Sequence, residues 1–130
     1  MIVIVDLGIS NVISVERMLK KVGIISVITS NSVEDIIKAK KIIIPGVGHY
    51  DAGMSAIDDL KIEEVLKEKV LIKKTPTLGI CLGAQLMLCK SQEGQRKGLS
   101  FIDGECVKFD KSKIGNNKIP NMGWIDTKFI

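Results

Sequence analysis

Cys81 stands midway between two glycines, in Gly79-Ile80-Cys81-Leu82-Gly83. The stretch before it, Thr75 to Ile80, reads as a short buried strand, and Leu82 to Leu88 reads as a buried helix. A side chain on so sharp a strand-to-helix turn projects from the rim of a sheet, and the flanking glycines give the backbone room. The turn also sets the thiol at a helix N-terminus, where the dipole favours negative charge. This arrangement suits a nucleophile for acyl transfer: the sulfur attacks a carbonyl, the leaving group departs, and water cleaves the thioester. The plainer alternative for a lone cysteine in an apolar run is a buried structural thiol. The glycine spacing and the strand-to-helix context favour the nucleophile. An oxyanion formed at Cys81 needs backbone N–H donors, each worth about 3–4 kcal/mol in comparable sites. The Leu82 N–H is one candidate. The Val47 or Gly48 N–H is the other, because Gly46 and Gly48 let the Pro45-Gly46-Val47-Gly48 loop turn a peptide inward. An ordinary strand-ending turn is the competing account of that loop.

The elements that must position these groups follow from apolar periodicity. Ile2 to Val5 is a continuous apolar run, as expected of a central parallel strand. Val12, Val15, Leu19 and Val22 recur at helical spacing, predicting a helix from Asn11 to Val22 that Gly23 stops. Ile24 to Ile28 reads as a second strand. Ser32 caps a short helix over Val33 to Lys38, with Asp35 three residues on. Ile42 to Ile44 is a third strand ending at Pro45. Helices are predicted over Ala52 to Leu60 and Ile62 to Ile72, and a fourth strand runs into Cys81. Glu105 to Phe109 and Trp124 to Ile130 look like further strands. The strand–helix alternation predicts an α/β fold, a mostly parallel open sheet with helices on both faces. In such sheets sites form at the C-terminal ends of strands. Gly8 to Asn11, Pro45 to His49 and Cys81 all fall at such ends, so the topology brings them toward one crevice.

Composition narrows the class. The 130 residues suit one domain, and 45% hydrophobic content can fill a core, although only 4% is aromatic. That core must therefore be aliphatic. No apolar stretch approaches a membrane span and the N-terminus does not resemble a signal peptide, which predicts a cytoplasmic protein without membrane contact. Three cysteines, an odd number, fit a reducing compartment better than a disulfide scaffold. No histidine or cysteine flanks Cys89 or Cys106 at ligand spacing, so no metal is assigned. The net charge of +4 comes from scattered lysines with no interleaved aromatics, which reads as a solvated surface and not as a nucleic-acid groove.

The segment Gly79-Ile80-Cys81-Leu82-Gly83-Ala84-Gln85 resembles the nucleophile elbow of class I glutamine amidotransferases. Three other segments, in matching order, resemble the glutaminase subunit of imidazole glycerol phosphate synthase. They are Ile2 to Asn11, Pro45-Gly46-Val47-Gly48-His49-Tyr50, and Pro120-Asn121-Met122-Gly123-Trp124. The resemblance covers the whole chain and implies one glutamine amidotransferase type 1 domain over residues 1–130 with a flavodoxin-like core. It implies Cys81 as catalytic nucleophile, with Gln85 and Glu93 lining a glutamine pocket where Glu93 meets the α-ammonium group. It implies a heterodimer with a β/α-barrel cyclase in histidine biosynthesis, Asn11 and Trp124 at that interface, ammonia as the transferred product, and no cofactor.

The family also carries a His-Pro-Glu segment that supplies its general acid–base pair. Nothing here matches it, and the only histidine is His49. The chain therefore corresponds to roughly the N-terminal two-thirds of the family pattern, a truncated form in which glutamine turnover is not expected. His49 reads as a variable position of the Pro-Gly-Val-Gly-x segment, pointing away from the thiol. Leu7 stands where the family has tyrosine, Ser10 where it has glycine, Asn121 for histidine and Ile125 for asparagine. Two other outcomes stay open: a non-catalytic remnant that keeps the core and partner surface, and a paralogue supplying ammonia for surface-sugar amidation.

Overall fold

The structure is a computed structural model that describes residues 1–115 together with Ile119, Gly123, Trp124, Asp126 and Lys128. Four parallel strands form the main sheet: β1 (Ile2–Val5), β2 (Val27–Ser30), β3 (Lys41–Gly46) and β4 (Thr77–Cys81). Their order is β2-β1-β3-β4, so β1, the most uniformly apolar, lies inside the sheet. The register pairs Val3 with Ile42, Ile4 with Ile43 and Ile43 with Leu78.

Because side chains alternate across a strand, that register sorts the residues onto two faces. Val3, Val5, Ile42 and Ile44 join the main core with Ile36, Ile57, Leu66, Leu82 and Leu86. Those partners come from α2 (Val33–Lys38), α3 (Tyr50–Asp59), α4 (Glu63–Lys67) and α5 (Leu82–Leu86). Each fully buried Ile or Leu contributes about 1.5–3 kcal/mol of transfer free energy, so this aliphatic cluster dominates cohesion. The opposite face carries α1 (Val12–Lys21), whose Val15, Met18 and Leu19 meet Ile43, Leu78 and Ile80 around an apolar hollow. Helices thus lie on both faces, as the alternation predicts, but the two faces are covered unequally. No residue of α1 is fully buried, and Leu78 and Ile80 remain partly exposed.

Local chemistry explains where the elements stop. The Asn11 side chain accepts the Ser14 N–H at 3.2 Å, which starts α1. At its other end the Gly23 N–H donates to the Lys20 carbonyl and the Ile24 N–H to the Leu19 carbonyl. This closure keeps Ile24 on the helix terminus, so β2 begins at Val27 and not at Ile24 as expected. The Ser32 cap on Asp35 and the bounds of α2 match the expectation. Strand β3 continues through Pro45, past the last β1–β3 pair at Ile4–Ile43. There it has a neighbour on one side only, and a missing N–H is tolerated.

The single helix expected over Ile62 to Ile72 divides into α4 and a π-helical turn, Glu68–Ile72. Lys69 leaves this turn to donate its ammonium to the Ile37 and Ala39 carbonyls at the end of α2. The strand expected over Glu105 to Phe109 contracts to β6 (Glu105–Cys106), which pairs in parallel with β5 (Lys90–Ser91). Beyond Cys106 the ladder gives way to a side chain, because the Lys108 N–H donates to the Gln92 side-chain oxygen. A short α6 (Lys111–Ile114) follows. The strand expected from Trp124 to Ile130 falls largely outside the described residues.

Candidate active site

Cys81 is both the last residue of β4 and the residue preceding α5, and its backbone adopts φ 54° and ψ −116°. Few L-residues take up such a conformation, which costs about 1–3 kcal/mol. The flanking glycines do not share it, since neither Gly79 nor Gly83 has a positive φ. Their role is close approach. A Cβ on Gly83 would lie 1.7 Å from the Ile44 carbonyl oxygen, and one on Gly79 would lie 2.5 Å from the Ala84 Cα. A Cβ on Gly46 would likewise crowd Leu82 and Gly83. Three glycines therefore seat α5 directly on β3 and β4, and the chain can make that join only by turning sharply at Cys81. The thiol is left exposed.

The register pairs Gly46 with Cys81, so the end of β3 runs alongside the thiol. Of the two alternatives for the oxyanion donor there, the Val47 N–H is engaged, donating to the Ile9 carbonyl at 3.1 Å. Gly48, at φ 108°, turns the chain away immediately afterwards. Its N–H makes no hydrogen bond among the described residues, and α5 has no side-chain cap. The same Val47 contact joins the segment after β1, Gly8 to Asn11, to the end of β3. The expected convergence of strand ends is thus made by a hydrogen bond.

Gln85, one turn beyond Cys81, and Glu93 line a shared cavity of about 380 Å³ with Ser91, Cys106, Val107 and Phe109. Cys81 itself is not in that lining. The Glu93 carboxylate accepts the Tyr50 N–H at 2.9 Å, and the Ser91 hydroxyl accepts the Glu93 N–H at 3.1 Å. Burial, with the Glu93 charge nearby, pushes the Cys106 thiol above its ordinary pKa. Asp51 accepts the N–H groups of Gln95 and Arg96, and these bonds hold its carboxyl below the usual carboxylate range.

A sequence profile of the family described as glutamine amidotransferase class-I matches residues 3–125. The chain belongs to the class I glutamine amidotransferase family. Similar relatives include the imidazole glycerol phosphate synthase subunit HisH 2 of Methanococcus maripaludis, 48% identical over 130 residues, covering 99% of this chain and 62% of the relative. The subunit HisH 2 of Pseudomonas aeruginosa is 44% identical over 124 residues, covering 95% of this chain and 60% of the relative. The subunit HisH 1 of Campylobacter jejuni is 43% identical over 131 residues, covering 100% and 64%. The chain thus spans about three-fifths of the length of the curated relatives it matches.

In this chain His49 serves as the N-cap of α3, its Nδ1 accepting the Asp51 N–H at 3.2 Å. That nitrogen is committed to the helix start. No acid–base side chain is hydrogen-bonded to the Cys81 thiol among the described residues. Asn11 is exposed and acts as the α1 cap, and Trp124 is fully exposed; both are open to a partner. Among the described residues no helix is long and apolar enough to cross a membrane. Sequence reasoning missed Ser91 and Cys106 in the cavity, and Asp51 beneath its loop. Only the β5–β6 pairing brings Ser91 and Cys106 together, and those two-residue strands leave no periodic signal.

Proposed function

We propose that this chain is the nucleophile-bearing part of a glutaminase that passes ammonia to a cyclase of imidazole glycerol phosphate synthesis. The strained backbone of Cys81 beside the end of β3 carries the proposal. In this reading the Cys81 sulfur attacks the γ-amide carbonyl of glutamine. The Leu82 and Gly48 N–H groups receive the oxyanion, and Glu93 and Gln85 hold the amino-acid end. Collapse of the tetrahedral adduct releases ammonia, which takes up the thiol proton, and leaves a γ-glutamyl thioester for water to cleave. Asn11 and Trp124 belong to the surface that meets a β/α-barrel partner. The names of the relatives support the pathway, and free thiols at Cys81, Cys89 and Cys106 support a reducing cytoplasm.

No base is hydrogen-bonded to Cys81 among the described residues to assist the step that follows acylation. His49, the only histidine, has its Nδ1 engaged at the start of α3. General acid–base catalysis contributes about 10²–10⁴ in rate, so the isolated chain acylates and then stalls. Incubation with L-glutamine and intact-protein mass spectrometry tests this. The expected result is one γ-glutamyl adduct on Cys81, absent in Cys81→Ser, with negligible steady ammonia release. A failure to acylate would sink the glutaminase reading. Sustained turnover dependent on both Cys81 and His49 would instead make His49 the base.

A further inference from the structure

Asp51 accepts hydrogen bonds from residues far along the chain and not from its own helix. The Gln95 N–H reaches Oδ1 at 3.0 Å and Oδ2 at 3.1 Å, and the Arg96 N–H reaches Oδ1 at 3.0 Å. One residue earlier, the Tyr50 N–H donates back across the same gap to Glu93 Oε2. Two carboxylates therefore cross: each segment supplies an acceptor for the other's backbone. Gly94 lies between them, and a Cβ there would sit 2.1 Å from Asp51 Oδ1. The Arg96 guanidinium also pairs with Asp58 farther along α3. An acidic residue in the first turn of a helix is ordinarily explained by the helix dipole. That account predicts no partner from residues 95 and 96 and no glycine at 94.

We propose that Asp51 is a positioning residue for the glutamine site, holding the loop of Glu93 so that its carboxylate meets the substrate's α-ammonium group. The inference rests on the glutaminase reading for the identity of that ligand. Anchoring Oε2 on Tyr50 leaves Oε1 for the ammonium group. Because Tyr50 lies two residues after Gly48, the same clamp fixes the distance between the oxyanion loop and the carboxylate.

The probe is L-2-amino-4-oxo-5-chloropentanoate, a chloroketone of the glutamine skeleton. The Cys81 thiolate displaces chloride from its terminal carbon, forming a C–S bond, and chloride leaves with the electron pair. Labelling is followed by mass spectrometry against concentration, with iodoacetamide as a measure of intrinsic thiol reactivity. Asp51→Ala is expected to raise the half-saturating concentration about tenfold, the equivalent of one charge-assisted hydrogen bond, while the iodoacetamide rate holds. Asp51→Asn, whose amide oxygen can accept both N–H groups, is expected to stay within about threefold of the parent. Hydrogen exchange of the Tyr50 amide supplies a readout that needs no ligand. Its protection comes from Glu93, so it must fall in Asp51→Ala and persist in Asp51→Asn. Unchanged half-saturation or unchanged Tyr50 protection in Asp51→Ala overturns the proposal, as does a parallel fall in the iodoacetamide rate. Absence of saturation in the parent chain counts against the glutamine ligand instead, and the exchange result then decides the positioning role alone.

Discussion

Replacing Cys81 by glycine should stabilise the fold relative to replacing it by alanine, the reverse of the usual order. Glycine ordinarily lies below alanine by about 0.5–1 kcal/mol, because it loses more backbone freedom on folding. At Cys81 the backbone sits at φ 54° and ψ −116°. Alanine inherits the full cost of that conformation, about 1–3 kcal/mol, and glycine is relieved of it. The thiol is exposed, so both variants lose little burial and that part cancels between them. The balance favours glycine by about 1 kcal/mol, which for a domain of this size raises the melting temperature by about 3 °C. Urea titration followed by circular dichroism reads the difference, with the same pair of substitutions at Cys106 as the control. Cys106 lies in β6 without a positive φ, and there alanine should be the more stable. If Cys81→Ala equals or exceeds Cys81→Gly, the elbow is not strained and the geometric case for a nucleophile fails with it.

Limiting iodoacetamide at neutral pH should label Cys81 first, because Cys89 and Cys106 are partly buried; peptide mapping that finds either of those first would contradict the exposed elbow. Labelling of Cys106 should accelerate only above the ordinary thiol range, since burial raises its pKa. The sign for stability follows: the neutral thiol's contribution is complete below the unfolded pKa and is lost as pH rises through the higher folded value. The urea midpoint should therefore fall on the alkaline side, and fall less in Cys106→Ala. Gly83→Ala should cost more than about 4 kcal/mol, because a Cβ 1.7 Å from the Ile44 carbonyl oxygen lifts α5 off β3; a folded variant with a parent-like midpoint would refute that contact. Tyr50→Phe should be neutral or stabilising by up to about 1 kcal/mol, since the buried hydroxyl has no partner among the described residues. A loss above 1 kcal/mol in thermal unfolding would show that the hydroxyl is bonded.

The elbow was legible in the sequence because its residues are consecutive, yet the reason for its glycines was not. Spacing shows that Gly79 and Gly83 bracket Cys81. Only the packing shows that they yield space to a helix while the cysteine takes the unusual dihedral. The cap Ser32–Asp35 was legible because it lies within four residues. The later start of β2 was not, because it depends on how the Ile24 N–H closes α1. The cavity was half legible: Gln85 and Glu93 both come from family resemblance, with helical spacing allowing Gln85 to face the crevice, but the Asp51 contact spans 44 residues and leaves no local pattern. Val47 shows the same limit, for nothing near it announces that Ile9 takes its N–H.

A strained nucleophile persists only where surrounding packing leaves the backbone no alternative, and in this chain that packing lies on one side of the sheet. Helix α5 is wedged against β3 and β4 through Gly46, Gly79 and Gly83, and its Leu82 and Leu86 enter the sealed cluster with Tyr50 and Ile57. Leu86 and Leu99 then tie the following loop to the same cluster, the Leu99 N–H donating to the Leu86 carbonyl at 2.8 Å. None of these contacts draws on the other face, where Leu78 and Ile80 stand partly exposed beside α1. The elbow geometry therefore rests on the α5 side of the sheet and does not wait on what covers Leu78.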